Sequence, residues 1–344
     1  MPLCPADAAF SQTLRSALPE RLFKPTEARY LEEPRGRYAG KSGVLVLPEN
    51  TEQVAQVLRI ANAAQVGVVP YGGGTGLVGG QIAPEGPAPV ILSLERMTAI
   101  RAVYPTENVL VAEAGCILAN VQAAAEAEDL LFPLSLASEG SARIGGNLAT
   151  NAGGLNVLRY GNARDLCLGL EAVLPDGEIW HGLSRLRKDN TGYDFRNLLI
   201  GAEGTLGVIT AAALKLAPRP AHSGTALMVV PDPQSALSLL SMARAHLAEG
   251  ISAFELIHRQ GLEFLREKLP DLRQPFVESP EWMVLIDVGL SRGHDPANDL
   301  MRLFEQAQTT GLVLDGVIAH SESQRSDFWA VRELSLIHIS EPTR

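Results

Sequence analysis

The sequence predicts an α+β protein of two domains, and three observations carry that reading. Glycine is concentrated in three clusters, each set between apolar strand-like runs: Gly72-Gly73-Gly74-Thr75-Gly76-Leu77-Val78-Gly79-Gly80, Gly145-Gly146-Asn147 running to Asn151-Ala152-Gly153-Gly154, and Gly201-Ala202-Glu203-Gly204-Thr205-Leu206-Gly207. Beyond residue 220, strand-type and helix-type patterns alternate in β-α-β order, as in ferredoxin-like domains. Between the two regions stands Ala217-Pro218-Arg219-Pro220, whose prolines are expected to block both a helix and a sheet ladder and so to mark a domain boundary.

Residues 5–18 have the apolar spacing of a short amphipathic helix. Tyr38–Ser42 leads into a strand, Val44–Leu47, closed by Pro48. Asn50 or Thr51 caps a helix through Gln65, with Val54, Leu58 and Ala61 at helical spacing. Val66–Pro70 reads as the strand that delivers the first glycine cluster. Strands follow at Val90–Leu94 and Val109–Ala114, then an alanine-rich helix over Ile117–Leu130 that Pro133 terminates. Leu168–Leu174 and Glu178–His181 flank Pro175-Asp176-Gly177, a hairpin signal because Asp-Gly tolerates positive φ. Leu206–Leu216 is the last strand before the boundary. After it the pattern predicts strand 224–230, helix 235–248, strand 251–256, helix 259–268, strand 282–289 and helix 296–308.

With 344 residues and 46% hydrophobic content the chain can bury a sizeable core. A net charge of −10, with no Lys/Arg cluster, argues against a nucleic-acid partner. Cys4, Cys116 and Cys167 form no C-x-x-C pair, so neither a disulfide framework nor a structural zinc site is expected. No stretch of 18 apolar residues suggests a membrane span, and Asp7, Glu20, Glu27, Glu32 and Glu33 are wrong for a targeting peptide; a cytoplasmic location is expected.

Glycine lets successive backbone N–H groups turn onto phosphate oxygens, so three such loops point to a large phosphate-bearing cofactor. Gly74-Thr75-Gly76-Leu77-Val78-Gly79 satisfies G-x-G-x-x-G, with Glu95 after a later strand, which imitates a dinucleotide fingerprint. The imitation lacks its crossover helix, which Pro84, Gly86, Pro87 and Pro89 forbid. Gly40-Lys41-Ser42 resembles part of a P-loop, but Arg35 stands where that signature needs glycine. No G-x-S-x-G or H-E-x-x-H occurs, and the seven histidines are scattered singly.

What remains is a phosphate cradle without a helix behind it. Pro70-Tyr71 with the first cluster, Pro133-Leu134, Ile144-Gly145-Gly146-Asn147-Leu148-Ala149-Thr150-Asn151-Ala152-Gly153-Gly154, Arg159-Tyr160-Gly161, Lys188-Asp189-Asn190-Thr191-Gly192-Tyr193-Asp194 and the third cluster through Thr210 stand in one order. Together they resemble the PCMH-type FAD-binding domain of the FAD-linked D-2-hydroxyglutarate, D-lactate and glycolate dehydrogenases. Phe254-Glu255-Leu256-Ile257 and Phe328-Trp329-Ala330-Val331-Arg332-Glu333 resemble the FAD-linked oxidase C-terminal cap of the same enzymes. The implied layout is an N-terminal helical segment (1–37), a PCMH-type FAD-binding domain of two α+β subdomains (38–217) and an incomplete ferredoxin-like cap (218–333). Leu334–Arg344 departs from the family and reads as a non-native tail.

The resemblance implies that Pro70 and the amides of Gly72, Gly73, Gly74, Thr75, Gly76 and Leu77 hold the FAD pyrophosphate. It places Pro133, Leu134, Gly140, Ser141, Ile144, Gly145, Gly146, Asn147, Thr150, Asn151 and Gly154 around the flavin and the second phosphate. Glu203, Gly204, Gly207, Val208 and Ile209 would run past the adenine side and the isoalloxazine edge. Covalent relatives use a histidine in the first loop; none stands here, so noncovalent FAD is expected. Arg332 would pair with the substrate carboxylate through its guanidinium fork; paired with Glu333 or Glu322 it would instead be a surface arginine. The implied reaction is removal of hydride from the α-carbon of a D-2-hydroxy acid, D-2-hydroxyglutarate first among them, to flavin, with a base taking the hydroxyl proton and electrons passed on to an acceptor. D-Lactate and glycolate fit the same residues, as does a noncatalytic flavin-binding module. Full-length family members can carry a divalent metal, for which no ligands or general base can be named in this chain. A homodimer is compatible with the sequence.

Overall fold

The computed structural model describes residues 2–340, with side chains described through residue 335. Two compact units result: Met1–Gly154 with Gly161–Arg219, and Leu155–Tyr160 with Pro220–Arg344.

In the first unit, α1 (Ala8–Ala17) is capped by Asp7, whose carboxylate accepts from the Phe10 amide, and buries Phe10 and Leu14. β1 (Phe23–Lys24) pairs antiparallel with β2 (Val44–Val46). α2 (Thr51–Ala63) is capped by Asn50 and buries the expected Val54, Leu58 and Ala61. β2 and β3 (Val68–Tyr71) both run parallel to β4 (Val90–Ser93), giving the order β1-β2-β4-β3. The 72–89 connection contains no helix, as its prolines require.

The second sheet of this unit is antiparallel. It uses β5 (Ile100–Tyr104), β6 (Val109–Glu113), β8 (Cys167–Val173), β9 (Ile179–Gly182) and β10 (Val208–Lys215), ordered β5-β6-β10-β8-β9. α3 (Leu118–Glu126), β7 (Leu130–Leu131), α4 (Ile144–Ala149), α5 (Val157–Tyr160), α6 (Phe195–Leu199) and β11 (Ala217–Pro218) complete the chain to residue 219, α5 belonging to the second unit. The central strands β8 and β10 are buried almost throughout, so they read as continuous apolar runs. Glu171 on β8 is the exception. Its carboxylate accepts from Thr51 Oγ1 (2.6 Å), Thr210 Oγ1 (3.0 Å) and Arg101 Nη2 (3.1 Å).

Two expectations are corrected. The helix meant to reach Leu130 stops at Glu126, because Asp129 takes a left-handed φ of +56° and Leu130–Leu131 turns into strand. Pro218, expected to block any ladder, pairs with Leu130 in β11; a two-residue ladder at an edge tolerates a residue without an N–H.

The second unit contains β12 (His222–Val230), α7 (Pro233–Leu247), β13 (Ile251–His258), α8 (Arg259–Lys268), β14 (Trp282–Leu290), α9 (Pro296–Thr309), β15 (Asp315–Ile318) and α10 (Glu322–Ser340). Its antiparallel order, β13-β14-β12-β15, is the ferredoxin-like arrangement read from the sequence, with β15 an addition to that reading. Side chains alternate across the sheet. Met228, Val284 and Ile286 face a core with Leu239 of α7 and Leu303 of α9, whereas Leu227, Met283 and Leu285 meet Leu262 of α8 and Phe328 of α10. α5 packs on β13 of the same unit. The backbone of α10 continues to Ser340, so the stretch expected to be a non-native tail begins inside this helix; residues 341–344 lie outside those described.

Candidate cofactor cleft and substrate arginine

In the first unit the three glycine clusters converge on one cleft of about 260 Å³. It is lined by Pro70 of β3 and Gly72, Gly73, Gly74, Thr75 and Gly76 after it, by Gly145, Gly146, Asn147 and Thr150 of α4 and its end, and by Glu203, Gly204 and Gly207 leading into β10 with Val208 and Ile209 at its start. The reason for glycine is close approach. A Cβ on Gly73 would fall on the Ser141 carbonyl, so the first loop lies against the segment before α4. Gly204 has φ +78°, and a Cβ there would stand 2.8 Å from Pro70 Cγ, so the third loop lies against the strand that carries the first.

Eight expected residues lie outside this lining, each for a visible reason. Leu134 and Ile144 point into the core. Asn151 takes a left-handed φ of +48° and accepts the Arg164 amide through Oδ1, a turn-forming role. A Cβ on Gly154 would collide with the Ser135 carbonyl, which makes it a packing glycine. Leu77 is largely exposed, Gly140 has open space around its Cα, and Ser141 presents its carbonyl to Gly73. Pro133 belongs to the segment leading from β7.

The sequence reading missed several lining residues, among them Tyr71, Gln81, Leu94 and Arg143. Tyr71 is buried; its hydroxyl donates to the Arg29 carbonyl (2.8 Å) and its ring packs 4.9 Å from that of Tyr30, while burial pushes the phenol pKa up. Gln81 Nε2 donates to the Gly76 carbonyl (2.9 Å) and closes the first loop on itself. A polar residue directly after the first glycine cluster is the only sequence signal for it.

Glu95, the acid of the imitation fingerprint, is occupied elsewhere. It accepts from Tyr30 Oη (2.8 Å) and from Arg29. Burial pushes its carboxyl pKa up, but the Tyr30 and Arg29 bonds outweigh that and hold it below the usual range.

Residues 43–182 match the family described as FAD binding domain, and residues 219–340 match FAD linked oxidases, C-terminal domain. The chain thus joins an FAD binding domain match to a C-terminal domain match of the FAD linked oxidases.

Relatives of this chain include the mitochondrial D-2-hydroxyglutarate dehydrogenases of Rattus norvegicus (40% identical, over 86% of this chain and 54% of that one) and Arabidopsis thaliana (39%, over 86% and 53%). A Schizosaccharomyces pombe relative with D-lactate dehydrogenase in its name is 38% identical over 86% of this chain and 56% of its own length. The chain thus spans about half the length of these curated relatives. Among solved structures, an alkyldihydroxyacetonephosphate synthase shares the fold, with TM-score 0.76 and 19% identity over 98% of this chain and 65% of that one.

The cleft fits FAD on its own chemistry. Its walls are side-chain-free backbone at the first and second clusters, which suits amide bonding to phosphate. Asn147 Nδ2, on a lining residue that is 6% exposed, has no hydrogen-bond partner among the described residues, a buried donor left for a ligand.

In the second unit, Arg332 on α10 donates to Glu255 of β13 through Nε (3.0 Å) and Nη2 (2.7 Å), both to Oε2. The alternative surface pairing with Glu333 or Glu322 does not form among the described residues; Glu322 is taken by Arg325 (3.2 Å). Arg325 also reaches Asp287 of β14 (3.2 Å), a buried carboxylate that accepts from Thr225 Oγ1 (2.6 Å) and Trp329 Nε1 (3.2 Å). Among the described residues no group of three His, Cys, Asp or Glu could hold a metal, and no helix is long and apolar enough to cross a membrane.

Proposed function

We propose that the whole protein oxidises a D-2-hydroxy acid, D-2-hydroxyglutarate first among them, to the 2-oxo acid with FAD as cofactor. The observation that supports this most strongly is the convergence of three glycine clusters on one cleft, in a chain whose residues 43–182 match an FAD binding domain and which is about 40% identical to D-2-hydroxyglutarate dehydrogenases. The amides of Gly72–Gly76 and Gly145–Gly146 are assigned to the diphosphate; several charge-assisted bonds of about 1.5 to 3 kcal/mol each hold such a group without lysine. Asn147 is assigned a cofactor hydrogen bond through its unpartnered Nδ2. FAD, when bound, supplies the two-electron acceptor for the hydride of the substrate α-carbon.

Arg332 is assigned to the substrate carboxylate. Its charge is permanent and its fork bidentate, and Glu255 fixes its orientation through one oxygen while leaving Nη1 outside that pair. The FAD is proposed to be noncovalent, since no histidine or cysteine lines the cleft among the described residues; flavin released into the supernatant on acid precipitation is the expected result, and colour retained in the pellet the contrary one. Three free thiols suit a reducing compartment, the cytoplasm or the mitochondrion named for the rat and plant relatives.

The S. pombe relative favours a second substrate, D-lactate. The deciding experiment is anaerobic bleaching of the FAD-loaded parent protein by a panel of D- and L-2-hydroxy acids. D-2-Hydroxyglutarate should bleach it fastest; bleaching by L-isomers alone, or by none, overturns the proposal, the latter in favour of a noncatalytic flavin-binding module.

A further inference from the structure

Arg143 precedes α4 and lines the cleft between the first two glycine clusters: a Cβ on Gly72 would stand 3.4 Å from Gly146 Cα and 4.0 Å from Arg143 Cβ. Its guanidinium is half-buried. Through Nη1 it donates to the carbonyls of Gly115 and, at 3.4 Å, Glu95. Both acceptors are neutral, and among the described residues no carboxylate pairs with it; Arg29 and Tyr30 take the nearby Glu95 carboxylate instead. Arg101, Arg325 and Arg332, comparably enclosed, each have an acid partner.

Of the cleft's lining residues only Arg143 and Glu203 bear charge. A guanidinium held by carbonyls keeps its full positive charge, and removing it from water without a counterion is unfavourable. An anion entering beside it relieves that cost. Gly72, whose added Cβ would approach that of Arg143, and Gly146 beside it belong to the two loops whose amides are free of side-chain cover. A diphosphate set between those loops would therefore meet amide dipoles from both and one whole positive charge from Arg143.

We infer that Arg143 is the countercharge of the cofactor's diphosphate, a role distinct from the main-chain cradle. The inference rests on the assignment of FAD to this cleft. It predicts a ligand preference that needs no turnover: ADP, which has the diphosphate, should depend on Arg143, and riboflavin, which lacks it, should not.

The test is calorimetric titration of flavin-stripped protein, wild type, Arg143→Gln and Arg143→Lys, with FAD, ADP and riboflavin at low and high salt, alongside far-UV circular dichroism. Arg143→Gln is expected to weaken FAD and ADP by about 10- to 100-fold, to flatten their salt dependence and to leave riboflavin unchanged. Arg143→Lys, which restores the charge without the fork, is expected to recover part of the loss and all of the salt dependence; it decides the matter if the glutamine variant fails to fold. Unaltered FAD and ADP affinity in Arg143→Gln, or equal losses for riboflavin and ADP, overturns the inference. If Arg143→Lys binds as weakly as Arg143→Gln and loses the salt dependence with it, the inference is overturned as well. A wild type with no affinity for FAD or ADP overturns the FAD assignment itself, and this inference with it.

Discussion

Glu255 holds Arg332 through one oxygen: its Oε2 accepts from Nε at 3.0 Å and Nη2 at 2.7 Å, tying β13 to α10. Both side chains are partly enclosed, so the pair is stronger than a surface ion pair yet still wet enough to exchange partners. Under the proposed function, Arg332→Lys in the FAD-loaded whole protein should raise KM for the hydroxy acid by about 10- to 100-fold, the worth of a lost charge-assisted fork, with a smaller change in kcat. Steady-state kinetics with varied substrate checks this. A fall in Tm with unchanged KM would make the pair a tie between β13 and α10 and nothing more.

Asp287 stands at the centre of the α10 face of its sheet and accepts from Thr225, Arg325 and Trp329. Asp287→Ala removes one partner of a buried ion pair and strands three donors, so a loss of about 3 to 5 kcal/mol is expected, against a smaller loss for Asp287→Asn. Denaturant unfolding monitored by near-UV circular dichroism measures both.

Gly73→Ala sets a methyl group against the Ser141 carbonyl, a backbone atom that cannot swing aside. The loops must separate, which should cost about 1 to 3 kcal/mol in stability and weaken FAD more than tenfold. Gly140→Ala, with open space around it, serves as the control and should leave both unchanged.

Acid should destabilise the first unit through Glu171. Burial pushes its carboxyl pKa up, but hydrogen bonds and charge from Arg101, with Thr51 and Thr210, outweigh burial and hold it below the ordinary value. A folded pKa below the unfolded one, about 4.3, means the stabilisation is complete well above that value and disappears as pH falls through the folded pKa. Thermal unfolding from pH 7 to pH 3 should therefore show a steep acid limb that Glu171→Gln flattens, at some cost to stability at neutral pH.

Much of this fold is legible in the sequence because local periodicity and burial agree. The six elements read beyond residue 220 all form, and Asn50 caps α2 as expected, whereas α3 ends at Glu126, well before Pro133. What stays hidden depends on distant partners. β15 is four residues long and half-buried, and exists because β12 offers it an edge. Leu130–Leu131 continues a helical alanine pattern but is claimed by Ala217–Pro218, far along the chain. The cleft shows the same division. Glycine clusters announce themselves, whereas Arg143 looks like any arginine until the fold shows which acids are already taken, and Asn151 and Gly154, inside a diagnostic motif, serve the turn that supports it.

The six residues Leu155–Tyr160, sequence neighbours of the second glycine cluster, pack with β13 in the other compact unit. The polypeptide consequently passes between the two units three times. A protease nick after Arg219 would yield two fragments still clasped by α5, and a separately produced piece beginning at Pro220 would lack the strap that covers part of its own sheet.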